Sequence, residues 1–296
     1  MSKEKIVVIG SLNMDYTVYV NEFPKEGETI TGLTRSKAAG GKGLNQAIAA
    51  KRAGGDVVFI GAIGSDEDGA LLQKVIGGEG LEDHLEKMVG SITGNATILV
   101  NKKGQNQIII IAGANGGMTQ DVALRHPYLV DEASFVMLQN EIPASANETL
   151  LRYCARNHKK TLQNPAPFRK IPSDCLPLIW CLTPNETELK GLTGFEDPEE
   201  GARQLLRQGV HSVLVTLGSK GSLYLDEKEK IFCPAFPVKA VDTVAAGDTY
   251  LGYLAASLAE GMSMKDAMKL ASKAASIAVS RKGAIPSIPT RDEVFL

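Results

Sequence analysis

Short apolar runs alternate along this chain with longer segments in which apolar residues recur at helical spacing. The apolar runs predict strands at residues 6–10, 57–61, 135–138, 212–216 and 223–225. The helical spacing predicts helices at residues 43–53, 69–76, 144–157, 198–208, 247–260 and 264–280. Strands that alternate with helices form a mostly parallel sheet covered on both faces, so we expect an α/β fold, a three-layer α/β/α sandwich.

Two regions, residues 15–38 and 95–111, depart from this alternation. The β-type stretches in them lie at residues 16–20, 29–36, 96–100 and 107–111, and the last two flank the turn Asn101-Lys102-Lys103-Gly104. Neither region contains a helix of its own. We therefore expect them to leave the main domain, which spans residues 1–296, and to form a small β-sheet lid.

The last of these stretches is unusually apolar, because residues 108 to 111 are consecutive isoleucines. One interpretation is an ordinary core strand. The other is a lid strand that buries substrate on one face and a second copy of the chain on the other. The second interpretation predicts a homodimer.

Composition and charge exclude several classes of partner. The chain is 44% hydrophobic and 22% charged with a net charge of -2, which gives no support for binding to nucleic acid or to an anionic membrane. The first apolar run is too short for a signal or membrane segment. The four cysteines show neither a CxxC pair nor metal-ligand spacing. We expect reduced thiols and a cytoplasmic protein.

The strongest chemical signal is the segment Ala245-Ala246-Gly247-Asp248, which leads into a predicted helix. Unpaired backbone N–H groups at a helix N-terminus form an anion site, and small side chains let a phosphoryl group approach them. Asp248 is placed to take a proton from a nearby hydroxyl group. An anion hole beside a general base is the minimum apparatus for phosphoryl transfer to an alcohol. The structural alternative is that Asp248 only stabilises the helix terminus.

Polar residues follow the first predicted strand, at the sheet edge where parallel sheets bind ligands. Asn13 and Asp15 alternate, so both side chains can face one side, and an amide with a carboxylate suits a vicinal diol. An Asx turn is the alternative. The glycines of Gly40-Gly41-Lys42-Gly43 open a helix but match neither a Walker A loop nor a dinucleotide fingerprint. Asn45 would point back toward that turn.

Three further segments carry candidate chemistry. Asn185 and Glu188 lie three residues apart at a helix start, which is consistent either with a capping box or with a pair that orders Mg²⁺ waters. A glycine-rich turn over residues 216–221 follows a strand and could lie under a nucleotide. The loop at residues 281–287 has small residues and free carbonyl groups.

The order of these motifs resembles the ribokinase-like family of carbohydrate and nucleoside kinases over almost the whole chain. The resemblance rests on Gly-Ser-Leu-Asn-Met-Asp, Gly-Gly-Lys-Gly-Leu-Asn-Gln, Ala-Gly-Ala-Asn, Asn-Pro-Ala-Pro, Thr-Pro-Asn-Glu-Thr-Glu, Thr-Leu-Gly-Ser-Lys-Gly, Val-Asp-Thr-Val-Ala-Ala-Gly-Asp-Thr and Arg-Lys-Gly-Ala-Ile-Pro-Ser. It implies ATP-dependent phosphorylation of a small sugar, D-ribose to D-ribose 5-phosphate, and an activating K⁺.

The resemblance also assigns roles to residues. It implies that Asp248 is the base and that Ala245, Ala246 and Gly247 form the anion hole. The residues implied to hold the sugar are Asn13, Asp15, Gly41, Lys42, Asn45, Glu141 and Asp248. Those implied to contact ATP are Asn185, Thr216, Leu217, Gly218, Ser219, Lys220, Gly221, Gly247 and Ser272. Glu188 is implied to order Mg²⁺. The implied K⁺ site consists of Asp242, Val244, Ala278, Arg281, Gly283 and Ser287, several through carbonyl groups.

Two residues depart from the family pattern, and other functions remain open. Ser272 stands where an Asn or His beside the adenine is expected, and Ile111 replaces a polar residue at the lid edge. Within the same class, the alternative is a nucleoside or hexose kinase. Its larger substrate often stacks on an aromatic side chain, whereas the sugar-binding segments hold no Trp and aromatic residues are only 5% of the chain. A non-catalytic sugar sensor would need neither base nor anion hole, and a dehydrogenase is opposed by the missing dinucleotide fingerprint.

Overall fold

The computed structural model describes residues 4–296, and two sheets organise them. The strands are β1 (Lys5–Ile9), β2 (Asn13–Tyr19), β3 (Thr34–Gly40), β4 (Asp56–Gly64), β5 (Glu82–Met88), β6 (Asn95–Val100), β7 (Asn106–Ile111), β8 (Phe135–Leu138), β9 (Lys160–Gln163), β10 (Cys181–Leu182), β11 (Ser212–Thr216), β12 (Gly221–Leu225) and β13 (Lys230–Pro234). The helices are α1 (Lys42–Arg52), α2 (Glu67–Gly78), α3 (Gln120–Ala123), α4 (Pro127–Glu132), α5 (Ala144–Arg156), α6 (Glu186–Thr193), α7 (Pro198–Arg207), α8 (Ala246–Ala259), α9 (Met264–Val279) and α10 (Arg291–Phe295).

The larger sheet has nine strands in the order β13-β12-β11-β10-β9-β8-β1-β4-β5. The pairs between β5 and β11 are parallel, while β12 and β13 are antiparallel at one edge. Alternate side chains of β1 enter different cores. Ile6 and Val8 pack with residues of α1, α8 and α9, whereas Val7 and Ile9 pack with residues of α5 and α7. This alternation confirms the predicted three-layer α/β/α sandwich.

The smaller sheet has four strands in the order β3-β2-β6-β7 and is formed by the two regions that depart from the βα alternation. The predicted strand at residues 29–36 is wrong at its start, because β3 covers Thr34–Gly40 and residues 29–33 lie outside it. The β-branched Thr29, Ile30 and Thr31 suggested a strand, but Tyr19 at the end of β2 is already paired with Thr34.

Register places the isoleucines of β7 on both faces of this smaller sheet. Asp15 pairs with Ala96, and Ala96 pairs with Ile110, so these three side chains share a face. Ile109 and Ile111 therefore lie on the opposite face. The interpretation of β7 as an ordinary core strand is wrong, since Ile108 to Ile111 are each between 46% and 62% exposed.

Several elements escaped the sequence pattern. β5 is a polar edge strand, Glu-Asp-His-Leu-Glu-Lys-Met, without an apolar run. β9 and β10 have only four and two residues. No helix within residues 4–296 has the length and apolar character needed to cross a membrane.

Candidate active site

Asp248 lies in the first turn of α8 and is buried, with 7% of its surface exposed. Its carboxylate accepts two side-chain hydrogen bonds from α1. Asn45 Nδ2 donates to Oδ2 at 3.1 Å, and Gln46 Nε2 donates to Oδ1 at 2.9 Å. The two amide donors fix the orientation of the carboxylate, which a general base requires. This arrangement brings the predicted base together with Asn45, a predicted sugar ligand.

The backbone before Asp248 turns sharply into the helix. Ala245 has φ 58° and ψ 9°, and only it and His158 are non-glycine residues with positive φ in the described part of the chain. Such a conformation is strained and must be imposed by the surrounding structure. The Ala246 N–H group donates to the Thr243 carbonyl at 3.3 Å, a long bond that an incoming anion could replace. Gly247, the next residue, is exposed.

Asn13 and Asp15 lie on β2 directly after β1. Asn13 is 4% exposed, and its Oδ1 accepts from Asn115 Nδ2 at 2.8 Å. Asn115 also receives the Leu12 N–H at 3.0 Å and donates to the Leu12 carbonyl at 2.9 Å. Asn115 ends the Ala-Gly-Ala-Asn motif, and the sequence assigned it no role. In the structure, Asn115 holds the backbone at the start of β2 and the side chain of Asn13.

Asp15 occupies a confined position. A Cβ atom on Gly40 would lie 2.2 Å from Asp15 Oδ2, so only glycine fits beside the carboxylate. Burial, and then the neighbouring Glu141 carboxylate, raise the pKa of Asp15 to about 7. A partly desolvated carboxyl group without a cation partner is suited to hydroxyl groups of a ligand.

Glu141 follows β8 and holds the start of α1. Its Oε2 accepts from the Lys42 N–H at 3.0 Å and from the Ser11 hydroxyl, while Ser11 Oγ accepts from the Gly43 N–H at 3.3 Å. Gly41 precedes the helix with φ 93°, and a Cβ there would lie 2.8 Å from the Asn13 nitrogen. The glycines therefore let α1 begin against the β1–β2 loop, where its first N–H groups meet a carboxylate.

The Lys42 side chain connects the two halves of the site. Asp248 raises the pKa of the Lys42 ammonium group above its usual range, and Glu141 and Glu188 act in the same direction, against the lowering effect of burial. Lys42 thus lies in the field of carboxylates from α8, from the end of β8 and from α6.

Asn185 and the turn over residues 216–221, which hold most of the predicted nucleotide residues, lie at the ends of β10 and β11, while Gly247 and Ser272 lie on α8 and α9. Asn185 and Glu188 form a capping box, in which Asn185 Oδ1 accepts the Glu188 N–H at 2.8 Å and Glu188 Oε2 accepts the Asn185 N–H at 2.9 Å. Thr216 pairs with this segment through its N–H bond to the Pro184 carbonyl at 3.0 Å. Glu188 is 7% exposed, and burial raises its pKa despite the N–H bond and the nearby Lys42. The capping interpretation is therefore confirmed, and it fixes Glu188 in place.

The glycine-rich turn after Thr216 is open to a ligand. Leu217 is buried, while Gly218, Ser219 and Lys220 are exposed, and the turn is closed by the Leu217 N–H, which donates to the Gly221 carbonyl at 2.8 Å. Ser272 on α9 is buried and donates to the Pro234 carbonyl at 3.4 Å. Its hydroxyl is thus turned toward the backbone at the end of β13.

The predicted cation residues form two loops joined by Asp242. Asp242 Oδ1 accepts the Val244 N–H at 3.0 Å, and Oδ2 accepts the Gly283 N–H at 2.9 Å. Asp242 makes these bonds to backbone groups, while Arg281 forms an ion pair with Glu293 at 2.7 Å. Of the remaining two residues, Ala278 accepts the Arg281 N–H through its carbonyl, and Ser287 Oγ donates to the Ala284 carbonyl.

Sequence reasoning missed Ser11, Gln46, Asn115 and Gln139, all fully or almost fully buried. Gln46 lies within the Gly-Gly-Lys-Gly-Leu-Asn-Gln motif and Ser11 within Gly-Ser-Leu-Asn-Met-Asp, so the motifs contained them. Their contacts with Asp248 and Glu141 join residues far apart in the chain. No local pattern reports such contacts.

Comparison with known proteins finds relatives that match almost the whole chain. Residues 3–291 match the model of the pfkB family of carbohydrate kinases. The chain is 37% identical over 299 residues to a ribokinase of Haemophilus influenzae, covering 99% of this chain and 98% of that protein. It superposes on an Arabidopsis thaliana ribokinase complexed with ribose and ATP, with a TM-score of 0.92, 35% identity, and 100% and 98% of the two chains covered. A Thermotoga maritima ribokinase gives a TM-score of 0.91 at 37% identity over 99% and 98% of the chains. This chain therefore belongs to the pfkB family of carbohydrate kinases.

Proposed function

We propose that this protein transfers the γ-phosphoryl group of ATP to the 5-hydroxyl group of D-ribose, which yields D-ribose 5-phosphate and ADP. The observation that carries the proposal is the buried Asp248 carboxylate in the first turn of α8, held there by the amide of Asn45, a proposed sugar ligand. Relatives named ribokinase match over nearly their whole length, and one was solved with ribose and ATP.

In the proposed reaction, the Asp248 carboxylate accepts the hydroxyl proton as the sugar oxygen forms a bond to the γ-phosphorus. The bond from that phosphorus to the β-γ bridging oxygen breaks, and ADP leaves with its electron pair. The N–H groups at the start of α8 would stabilise the charge on the equatorial phosphoryl oxygens. The proton on Asp248 is then released to solvent.

The sugar would be held by the groups at the β1–β2 edge. Asn45 Oδ1 is buried and has no hydrogen-bond partner among the described residues, so it can accept from a sugar hydroxyl group. Asp15 would accept from two hydroxyl groups, and Asn13 would donate from its amide nitrogen. Residues Gly41, Lys42 and Glu141 complete the proposed set.

The nucleotide would lie across the turn formed by residues 216–221, with Asn185, Ser272 and Gly247 at its borders. Glu188 suits the ordering of a Mg²⁺ ion that arrives with ATP, because it is a buried carboxylate fixed by its capping box. A bound Mg²⁺ ion would neutralise phosphate charge. K⁺ would fit the carbonyl-rich loops joined by Asp242, since a large cation suits carbonyl oxygens in irregular loops.

The four-stranded sheet would act as a lid on one kinase domain and as a dimer surface. Ile110 shares the face of Asp15, and Ile109 lies on the opposite face at 62% exposure. Exposed isoleucines on both faces of an edge strand leave apolar area for a sugar-side closure and for a second copy. The four cysteines are buried and unpaired in the described residues, which supports the cytoplasmic location we propose.

One coupled assay of ADP release tests the proposal across ribose, deoxyribose, fructose, adenosine and cytidine. We expect ribose to give the highest kcat/KM. A preference for adenosine or fructose would replace ribose by another substrate of the same family. Binding of ribose by calorimetry without ADP release in the presence of ATP and Mg²⁺ would instead favour a sugar sensor.

A further inference from the structure

A chain of buried side-chain amides ends on the proposed base. Gln139, directly after β8, donates from Nε2 to Gln46 Oε1 at 2.8 Å, and Gln46 on α1 donates from Nε2 to Asp248 Oδ1 at 2.9 Å. Gln139 is 0% exposed and Gln46 is 1% exposed. These two hydrogen bonds therefore connect the central sheet to the Asp248 carboxylate through protein groups alone.

The direction of this chain follows from the charge at its end. An ionised carboxylate only accepts hydrogen bonds, so Gln46 must present its NH₂ group to Asp248. Its Oε1 atom then points away from Asp248 and requires a donor. Gln139 supplies that donor. A Gln46 side chain turned the other way would place a carbonyl oxygen against the carboxylate, which is unfavourable.

Gln139 is itself held tightly. A Cβ atom on Gly10 would lie 2.0 Å from Gln139 Oε1, so the amide lies directly against the end of β1. The Gln139 carbonyl accepts from Asn147 Nδ2 at 2.7 Å, which ties the same residue to α5. Gln139 Oε1 has no hydrogen-bond partner among the described residues, so packing against Gly10 and the backbone bond from Asn147 hold Gln139, whose Nε2 in turn holds Gln46.

The two oxygens of Asp248 differ in what holds them. Asn45, which donates to Oδ2, has an unpartnered Oδ1 and belongs to the proposed sugar site, so its bond can be exchanged when a sugar enters. Gln46 has both of its polar side-chain atoms engaged by protein groups. Its bond to Oδ1 does not depend on substrate.

We propose that Gln46 and Gln139 are positioning residues, which hold Asp248 through Oδ1 so that Oδ2 is left to take the hydroxyl proton. Gln46 acts directly on the base, and Gln139 acts through Gln46. The charged groups that interact with Asp248 from other elements are Lys42 of α1 and Glu188 of α6, and Glu141 after β8 acts on Lys42. These charged groups determine the electrostatic potential at the site, while the two glutamine amides determine the orientation of the Asp248 carboxylate. The proposal rests on the proposed role of Asp248 as base.

The test uses Gln46→Met, Gln139→Met and the double variant, because methionine keeps the length of glutamine and removes its donor. At saturating ribose and ATP, we expect Gln46→Met to lower kcat about tenfold with KM changed less than about threefold. The acid limb of its kcat profile should move up by roughly 0.5 to 1 pH unit, since a hydrogen bond that favours the ionised form is lost. Gln139→Met should move both quantities less, in the same direction.

The double variant distinguishes two hypotheses: that Gln139 acts on Asp248 only through Gln46, and that the two residues contribute independently. If Gln139 acts only through Gln46, the double variant will match Gln46→Met alone, whereas independent effects would multiply. Gln163→Met is the matched control, because Gln163 is a glutamine 2% exposed at the end of the neighbouring β9 and contacts Asn140 and the Asn164 carbonyl. It should lower the unfolding temperature similarly and leave the kcat profile unchanged.

A second measurement does not depend on kinase activity. The carboxyl carbon of Asp248, observed by NMR in aspartate-labelled protein and assigned with Asp248→Asn, should titrate at higher pH in Gln46→Met and in Gln139→Met than in the parent. Profiles and titrations that superpose on the parent, or multiplicative losses in the double variant, would overturn the proposal. Absence of ribose-dependent ADP release by the parent protein would overturn the proposed function alone, and the titration would still decide the positioning role.

Discussion

Asn45 and Asp248 are joined by a hydrogen bond of 3.1 Å although 203 residues separate them in the chain. The bond links the first turns of α1 and α8, so a proposed sugar ligand is in direct contact with the proposed base. The two helices can lie this close because α8 presents Gly252 to α1. A Cβ atom there would be 2.5 Å from Ala49 Cβ and 2.6 Å from the Ala50 nitrogen.

This close approach yields a prediction for Gly252→Ala. The added methyl group must push against backbone of α1, so we expect a loss of about 1–3 kcal/mol in the free energy of unfolding and a lower kcat as Asp248 is displaced. Denaturant titration and steady-state kinetics measure the two effects. Gly77→Ala in α2 is the control, because nothing lies within 4 Å of its added Cβ, and it should be neutral or stabilising. Equal behaviour of the two variants would contradict the packing argument.

Asp248→Asn tests the proposed base directly. We expect kcat to fall by at least ~10²-fold while ribose affinity changes little, since the proton acceptor is needed in the transition state. Asp197→Asn is the control, because Asp197 caps α7 by accepting the Glu200 N–H at 2.9 Å. A carboxylate that only stabilises its helix would make both variants less stable and leave kcat near normal in both.

Asp15 predicts a pH dependence of ribose binding. Its pKa of about 7 means that the carboxyl group takes up a proton as the pH falls from 8 to 6. The protonated group accepts fewer hydrogen bonds from sugar hydroxyls, so KM for ribose should rise over this range while KM for ATP stays nearly constant. In Asp15→Asn, KM for ribose should be high and independent of pH. A parent KM that is flat between pH 6 and 8 would remove Asp15 from the sugar site.

Asp15 also predicts that the free energy of unfolding falls as the pH rises, whereas ribose binding should improve over the same range. In the unfolded chain the pKa of Asp15 is the ordinary 3.8, so the carboxyl group has lost its proton above about pH 4. In the native state it keeps that proton up to about pH 7. This contribution to stability is present below pH 4 and lost as the pH rises through 7. Asp15→Asn removes it, so relative to the parent the variant should gain at least about 1 kcal/mol between pH 4 and pH 8. Urea titrations at the two pH values measure it. A constant difference would argue against burial as the cause.

The exposed strand β7 predicts association of two copies. Ile109→Lys places a charge on the face opposite Asp15, so we expect a dimer of the parent to dissociate to monomer in analytical ultracentrifugation at micromolar concentration. Val89→Lys is the control, since Val89 is 91% exposed and lies outside the four-stranded sheet. A parent that is monomeric with ribose present would contradict the dimer and leave the lid untouched.

The loops joined by Asp242 predict activation by K⁺. Initial rates in tetramethylammonium buffer should rise when K⁺ is added at constant ionic strength, chiefly through kcat, because the cation would hold the turn before Ala245. Asp242→Ala should abolish the response. Since Asp242 already receives two backbone N–H groups, a rate indifferent to K⁺ would mean that this carboxylate alone fixes the loops.

The helical and apolar patterns placed the main elements well. The strand over Phe135–Leu138, the strand over Ser212–Thr216 and the start of α5 at Ala144 agree with the prediction to the residue. These segments are recognisable because their buried positions require apolar residues, which gives the sequence its regular pattern. β5 could not be predicted from the sequence, because it has no apolar run. Its residues cover an edge of the sheet, and an edge strand tolerates charged side chains.

The candidate site was predictable only where one segment carried the chemistry. Asp248 with its preceding small residues, and Asn13 with Asp15, can be recognised because strand ends and helix starts present side chains from short motifs. Asn115 behind Asn13 could not be recognised in its role, because its bond depends on β2 meeting the segment after β7.

The sequence by itself therefore determined the three-layer fold and the family, and it named the candidate reacting groups, since these depend on periodicity and on residues close together in the chain. The tertiary structure alone decided how those groups are held. The joining of α1 to α8, the amides that run from Gln139 through Gln46 to Asp248, and the burial that raises the pKa of Asp15 all arise from contacts between distant segments. Such contacts depend on packing and desolvation in three dimensions, which no local pattern of residues records.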